Sequence, residues 1–299
     1  MADSAVQPRA GLGGRPTPTG AFTRWWRSRG DGVGLAAGAI LVGIVLIAIF
    51  APILAPYDYA AQSLTGRLEP PSREHLLGTD GLGRDVLSRL MWGSRVSLAV
   101  GAGAALLTVT IGAIVGSVCG YAGGIVDQVG MRVTDIVMSI PPVLLILLIV
   151  AVFGGGLWLT IIAIGLVTWP GTARLLRAEF LRLRSLEFVD AAHASGAGSL
   201  RIVTRHILPN AVAPLIVQAS LLTAESILIE SGLSYLGLGV QPPTPSWGNM
   251  LFEGRRFMDN AWWISVWPGV AIFVTVLCLN LVGDVLRDLL DPRSRARRA

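Results

Sequence analysis

Apolar residues in this chain do not alternate with polar ones at a helical or strand period; they run on without interruption. Val33–Tyr57, Val96–Val126, Ile136–Ala173 and Ala261–Gly283 contain no Asp, Glu, Lys or Arg. A helix rising 1.5 Å per residue needs about 20 apolar residues to cross a hydrocarbon core of about 30 Å. Each run is long enough, and the third is long enough for two crossings. Gly154, Gly155 and Gly156 divide that run, because three flexible residues suit a tight turn at a membrane surface. A further apolar stretch, Ala211–Leu233, carries Glu225 and Glu230 toward its far end. The pattern predicts an all-α integral membrane protein with six spans, near 33–56, 97–120, 136–153, 157–175, 210–233 and 261–283. The connections are a tail over 1–32, a loop over 57–96, a polar segment over 179–209, a loop over 234–260 and a tail over 291–299.

Composition agrees with this reading. Charged residues make up 14% of the 299 positions and mean hydropathy is +0.63, too few charges to coat a water-soluble surface. The polar leader before the first span runs past thirty residues, and the apolar stretch after it is long for a cleaved signal, so an uncleaved anchor is expected. Cys119 and Cys278 both fall inside predicted spans, which suggests core packing rather than a disulfide or thiolate site.

Charge sets the expected orientation. All 24 basic residues are Arg. Arg67, Arg73, Arg84, Arg89, Arg95, Arg255 and Arg256 fall on one side of the predicted spans, and the remaining Arg, more than twice as many, fall on the other. Basic residues near span ends favour the cytoplasmic side, so both termini and the 179–209 segment are expected there. In the first outer loop, Val86, Leu87, Leu90 and Met91 recur at helical spacing beside Arg84, Asp85 and Arg89, which predicts an amphipathic helix lying on the membrane surface. Gly112, Gly116, Gly120 and Gly124 repeat every four residues, so one face of the second span is a groove for a close helix neighbour, or a surface along which one slides.

Several chemistries are missing. Without lysine the chain cannot hold a standard phosphate-binding loop of the form G-x-x-x-x-G-K-[ST]. There is no nucleophile elbow or H-E-x-x-H pair, and His75, His193 and His206 are too scattered for a metal cluster. No enzyme activity, metal or nucleic-acid partner is expected. Glu225 and Glu230 are the only acids within a predicted span, and a carboxylate at that depth must face water, protein or an Arg. They are candidates for a translocation path, Glu230 at its outer mouth.

The most informative stretch lies between the fourth and fifth spans. Asp190-Ala-Ala-His-Ala-Ser-Gly196 is followed by Arg205-His-Ile-Leu-Pro209. Small Ala191, Ala192 and Ala194 let a short helix seat closely in a partner's groove, Asp190 near its start suits the helix dipole, and Gly196 ends it. Pro209 stands where the next span is expected to begin, a position that tolerates its missing N–H.

Here the chain resembles the EAA motif of binding-protein-dependent ABC importer permeases, with Asp190, Ala191, Ala192, Gly196, Leu208 and Pro209 at the matching positions. Asp190 replaces the usual Glu, and His206 stands where Ile is frequent, as in the peptide-permease variant. Leu77-Gly-Thr-Asp-Gly-Leu-Gly-Arg-Asp85 with Ser88-Arg89, Gly120-Tyr-Ala-Gly-Gly124, Met131-Arg132, Asp135 and Ser139-Ile-Pro141 resemble the C-type subunit of dipeptide and oligopeptide importers. So do Glu230-Ser-Gly-Leu-Ser-Tyr-Leu-Gly-Leu-Gly239 and Pro242-Pro-Thr-Pro-Ser-Trp-Gly248. The resemblance covers roughly residues 33–290. It implies a type I importer permease fold with a cytoplasmic coupling helix and a multi-pass location in a bacterial inner membrane. It further implies assembly with a related permease, two ATPase subunits and an extracytoplasmic binding protein that delivers peptide. ATP and Mg would bind on the ATPase partners and no cofactor on this chain. Relatives carrying nickel or other small solutes keep a second substrate class open, and a stand-alone secondary transporter is the remaining alternative.

Overall fold

The computed structural model describes residues 19–290, with side chains from Gly32 onward. The expected tail over 291–299 and residues 1–18 lie outside the described residues, and with them most of the terminal Arg used for orientation. Helix α1 spans Thr19–Leu54, α2 Val86–Ala122, α3 Gly124–Met138, α4 Pro142–Phe153 and α5 Leu157–Arg184. After short α6 (Glu187–Ala194) and α7 (Ser199–Ile202) come a wide π turn over Val203–Ile207, α8 (Leu208–Tyr235), α9 (Trp247–Gly254) and α10 (Trp263–Leu290). No strand occurs among the described residues, and Thr79 and Asp85 form one isolated antiparallel bridge. Five helices are long and apolar enough to cross a membrane, and α3 with α4 makes a sixth if the bent pair counts as one span.

Several boundaries differ from the expectation, each for a physical reason. The first helix reaches back to Thr19, into what the sequence marks as tail. The expected surface helix around 86–91 is the first turns of α2. Asp85 caps it by accepting from the Ser88 N–H at 2.7 Å, and Val86 and Arg89 are buried. The i, i+4 pattern there records packing against Met250, Ala261, Trp263 and Ile264, not against lipid headgroups. The span expected over 136–153 is two helices bent by 77°. Ser139-Ile140-Pro141 breaks them because the residue before a proline is pushed out of the helical region, and Pro142 then starts α4. At 12 residues, α4 covers only about 18 Å, so it needs α3 to complete a crossing.

The strongest helix pairing is α2 on α5. A β-carbon placed on Gly112 would lie 2.5 Å from Thr172 Cβ, one on Gly116 2.5 Å from the Ala173 carbonyl, and one on Gly120 2.7 Å from Phe180 Cβ. These three glycines are therefore an interface where backbones touch. Gly124 does not belong to it. Gly123 (φ +66°) ends α2, and Gly124 (φ +55°) opens α3 with nothing within 4 Å of its missing side chain. On another face of α2, Gly101 admits Ile227 of α8, and Gly93 admits Trp247 of α9. Two ion pairs join α3 to α5: Arg177 holds Asp127 through both carboxylate oxygens, and Arg174 reaches Asp135 at 2.5 Å.

Candidate functional site

The 179–209 segment is built as a capped helix on a rigid base. Its first residues, to Arg184, continue α5, and α6 follows after a one-turn break. At the far end of α6 the Gly196 N–H donates to the His193 carbonyl at 2.9 Å, and the Ala197 N–H donates to the Ala192 carbonyl at 3.1 Å. Gly196 sits at φ +78°, so this is the paired closing pattern that ends a helix in a left-handed glycine. Below it, Val189 and Ala192 join Leu176, Phe180 and Leu183 of α5, Ile202 of α7, Ile207 of the π turn, and Ala211 and Leu215 of α8 in one apolar cluster. α6 is thus packed directly against both α5 and α8.

Small residues in α6 divide by face. Ala191 and Ala194 are exposed, whereas Ala192, expected to meet a partner, turns into the chain's own core. Asp190 and Glu187 occupy the first turn near the positive end of the helix dipole, and Asp190 is exposed. Phe188, Ala191, Ser195, Gly196, Arg201 and His206 border an open depression of about 460 Å³, with the nearly buried Ala192 and half-buried Ala197 also in its lining. Pro209 is not at the start of a free helix. The chain is helical from Ser199 through Tyr235, with Leu208 half-buried and Pro209 exposed in its first α-helical turn after the π turn. A mid-helix proline loses one backbone hydrogen bond and crowds the preceding turn, which the wider π turn accommodates. Asn210 Nδ2 donates to the His206 carbonyl one turn back, at 2.6 Å.

The two acids of α8 have opposite surroundings. Glu225 is exposed on the helix surface. Glu230 is fully buried within this chain rather than open at a mouth. Ser234 Oγ donates to it at 2.7 Å and Ser97 Oγ of α2 at 3.4 Å. Ser97 Oγ also accepts the Trp247 N–H at 3.2 Å, and Ser246 Oγ donates to Ser234 Oγ while capping α9 through the Asn249 N–H. One carboxyl group thereby fastens α2, α8 and the start of α9 together.

A second charged cluster, missed by sequence reasoning, lies on the face formed by residues 57–85 and α9. Asp80 Oδ2 receives Arg84 Nε at 2.6 Å and Arg89 Nη1 at 2.9 Å. Glu253 Oε2 receives Arg84 Nη2 at 2.5 Å and Arg89 Nη2 at 2.9 Å. Burial pushes the Glu253 carboxyl above the usual carboxylate range, and Arg84 opposes that shift. Nothing in sequence pairs Glu253 with Arg84 and Arg89, although Arg84, Asp85 and Arg89 were visible as a charged group. On the opposite side, Glu179, Arg182, Asn210, Gln218 and Arg287 line a groove of about 540 Å³ between α5, α8 and α10.

The described residues thus form a helical bundle with one broken span and a short, glycine-capped helix between α5 and α8. Residues 77–296 match the family described as binding-protein-dependent transport system inner membrane component, and residues 23–71 match the N-terminal transmembrane domain of oligopeptide transport permease C. The chain belongs to the binding-protein-dependent transport permeases, as a C-type member of their dipeptide and oligopeptide branch. It is 42% identical over 285 residues, 93% of each chain, to the di/tripeptide transport system permease protein DppC of Pseudomonas aeruginosa. To the dipeptide transport system permease protein DppC of Bacillus subtilis it is 38% identical over 282 residues, 94% of this chain and 88% of that one. Among solved structures, an inward-facing MetNI methionine ABC transporter chain superposes with a TM-score of 0.56 at 20% identity. The match covers 69% of this chain and 96% of that one and speaks for the fold.

Proposed function

We propose that this chain is one membrane subunit of an ATP-driven importer of di- or oligopeptides. It would pair with a related permease and engage two ATPase subunits through α6, and an extracytoplasmic binding protein would supply its substrate. The observation that carries the reading is α6 itself: a glycine-capped helix with small outward residues, borne on the core that joins α5 to α8. The names of the relatives support peptide as the substrate class. In this reading both termini and α6 are cytoplasmic, residues 57–85 and α9 face outward, and the polar groove beside Gln218 is the inner part of the path. ATP and Mg belong to the ATPase partners, and this chain moves passively between inward- and outward-open states.

The test is co-expression with the neighbouring permease, ATPase and binding-protein genes, purification through this chain, and peptide uptake into proteoliposomes. The reading expects the ATPases to co-purify and uptake to require ATP and binding protein. Uptake by this chain alone under an ion gradient contradicts it.

A further inference from the structure

The ion cluster on the 57–85 face leaves basic charge unspent. Asp80, Arg84, Arg89 and Glu253 form a closed, internally neutral square that locks the loop to α9. Beside it, Arg67, Gly81, Leu82, Arg84, Phe252, Glu253, Arg256 and Phe257 enclose a depression of about 280 Å³, room for a side chain rather than a domain. Arg67 and Arg256 are both exposed, and among the described residues neither has a carboxylate within ion-pair distance. Arg67 is aimed by one bond, Nε donating to the Gly81 carbonyl at 2.7 Å, which leaves its terminal nitrogens unused. A third guanidinium, that of Arg255, lies 4.4 Å from the Phe252 ring centroid and adds positive charge at the same edge.

We propose that this depression is a docking point for an acidic side chain of the extracytoplasmic binding protein, with Arg67 and Arg256 as its two partners. The inference rests on the permease reading above. Three features favour this occupant. The unmatched charge is positive, so the complement is a carboxylate. Guanidinium groups suit carboxylates by geometry as well as charge. Of the remaining walls, Leu82, Phe252 and Phe257 are apolar and suit an apolar neighbour of that acid on a folded surface, and Glu253, the one acid among them, is already held by Arg84 and Arg89. The buried square beneath holds Gly81 and Phe252 in register, so the point is set before a partner arrives.

Arg67→Glu/Arg256→Glu in the full complex, reconstituted in nanodiscs with its cognate binding protein, tests this. Both side chains are exposed, so assembly and basal ATP hydrolysis without binding protein should match wild type. The concentration of binding protein giving half-maximal stimulation should rise about tenfold or more, and its dependence on salt should flatten, as for charges at an interface rim. Arg67→Gln/Arg256→Gln should give a smaller shift in the same direction. Unchanged half-maximal concentration and salt dependence overturn the proposal. So does a change only in the peptide concentration required, which would assign the two Arg to substrate. Failure of the ATPases to assemble with wild-type chain is a different result and strikes the permease reading.

Discussion

At Gly196 the backbone turns through φ +78°, and no atom lies within 4 Å of a β-carbon built there. Substitution therefore meets strain rather than collision in this chain, about 1–3 kcal/mol for a β-branched residue held in that region. Asp190, exposed in the first turn of α6, offers about 0.3–1 kcal/mol of dipole stabilisation. Gly196→Val should therefore reduce ATPase association and substrate-stimulated hydrolysis more than Asp190→Asn, with membrane insertion intact in both. Stimulation by Gly196→Val equal to wild type would make the segment an ordinary loop. Glu230 gives a contrasting case. Removing it as Glu230→Ala strands the Ser97 and Ser234 hydroxyls in a buried site, at about 1–3 kcal/mol for an unsatisfied group. The thermal midpoint of the purified complex should fall, and Glu230→Gln, which keeps an acceptor, should fall less. Gly196 was legible because its conformational demand is local. Burial of Glu230 was not, because, although Ser234 lies on its own helix, Ser97 comes from α2 and Ser246 is the residue before α9.

Among the elements, α2 and α5 show how three glycines decide a pairing. Gly116→Val would drive a side chain into the Ala173 carbonyl, where the neighbour is backbone and cannot move aside. Overpacking of this kind costs about 1–3 kcal/mol or more. Gly43→Val on α1, where nothing lies within 4 Å, is the matched control. Detergent-solubilised yield and thermal midpoint should drop for the first and hold for the second. The bend between α3 and α4 supplies another expectation. Asp127→Arg should loosen α3 from Arg177, and the swap Asp127→Arg/Arg177→Asp should restore complex stability if the ion pair is what joins them. Uninterrupted apolar runs made the long helices readable. The bend and the π turn escaped although Pro141, Pro142 and Pro209 stand at them, because a proline flags a break without fixing its geometry. α9 escaped because it packs on neighbours distant in sequence, and the amphipathic turns at 86–91 look alike whether they cover lipid or protein.

For the whole molecule, the proposed function leaves energy conversion to the partners, and this chain then has two docking faces joined by a helical core. One lies at α6, the other at residues 57–85 and α9, and the buried carboxyl group of Glu230 fastens the second to the long helices. The direct test of the central claim is site-specific cross-linking at α6. Cys119 and Cys278 are buried, so introduced thiols stand out. Single cysteines at Ala191, Ala192 and Ala194, in complex with the ATPase subunits, are labelled with a short reagent that is thiol-reactive at one end and photo-activated at the other, so that no thiol is needed on the partner. Positions 191 and 194 point outward and should cross-link to an ATPase subunit, with the yield changing when ATP is bound. Position 192, nearly buried in the lining of the depression beside α6, should react far less. Equal reaction at all three, or none at 191 and 194 while the ATPases remain bound, would contradict the assignment of α6 as the coupling helix.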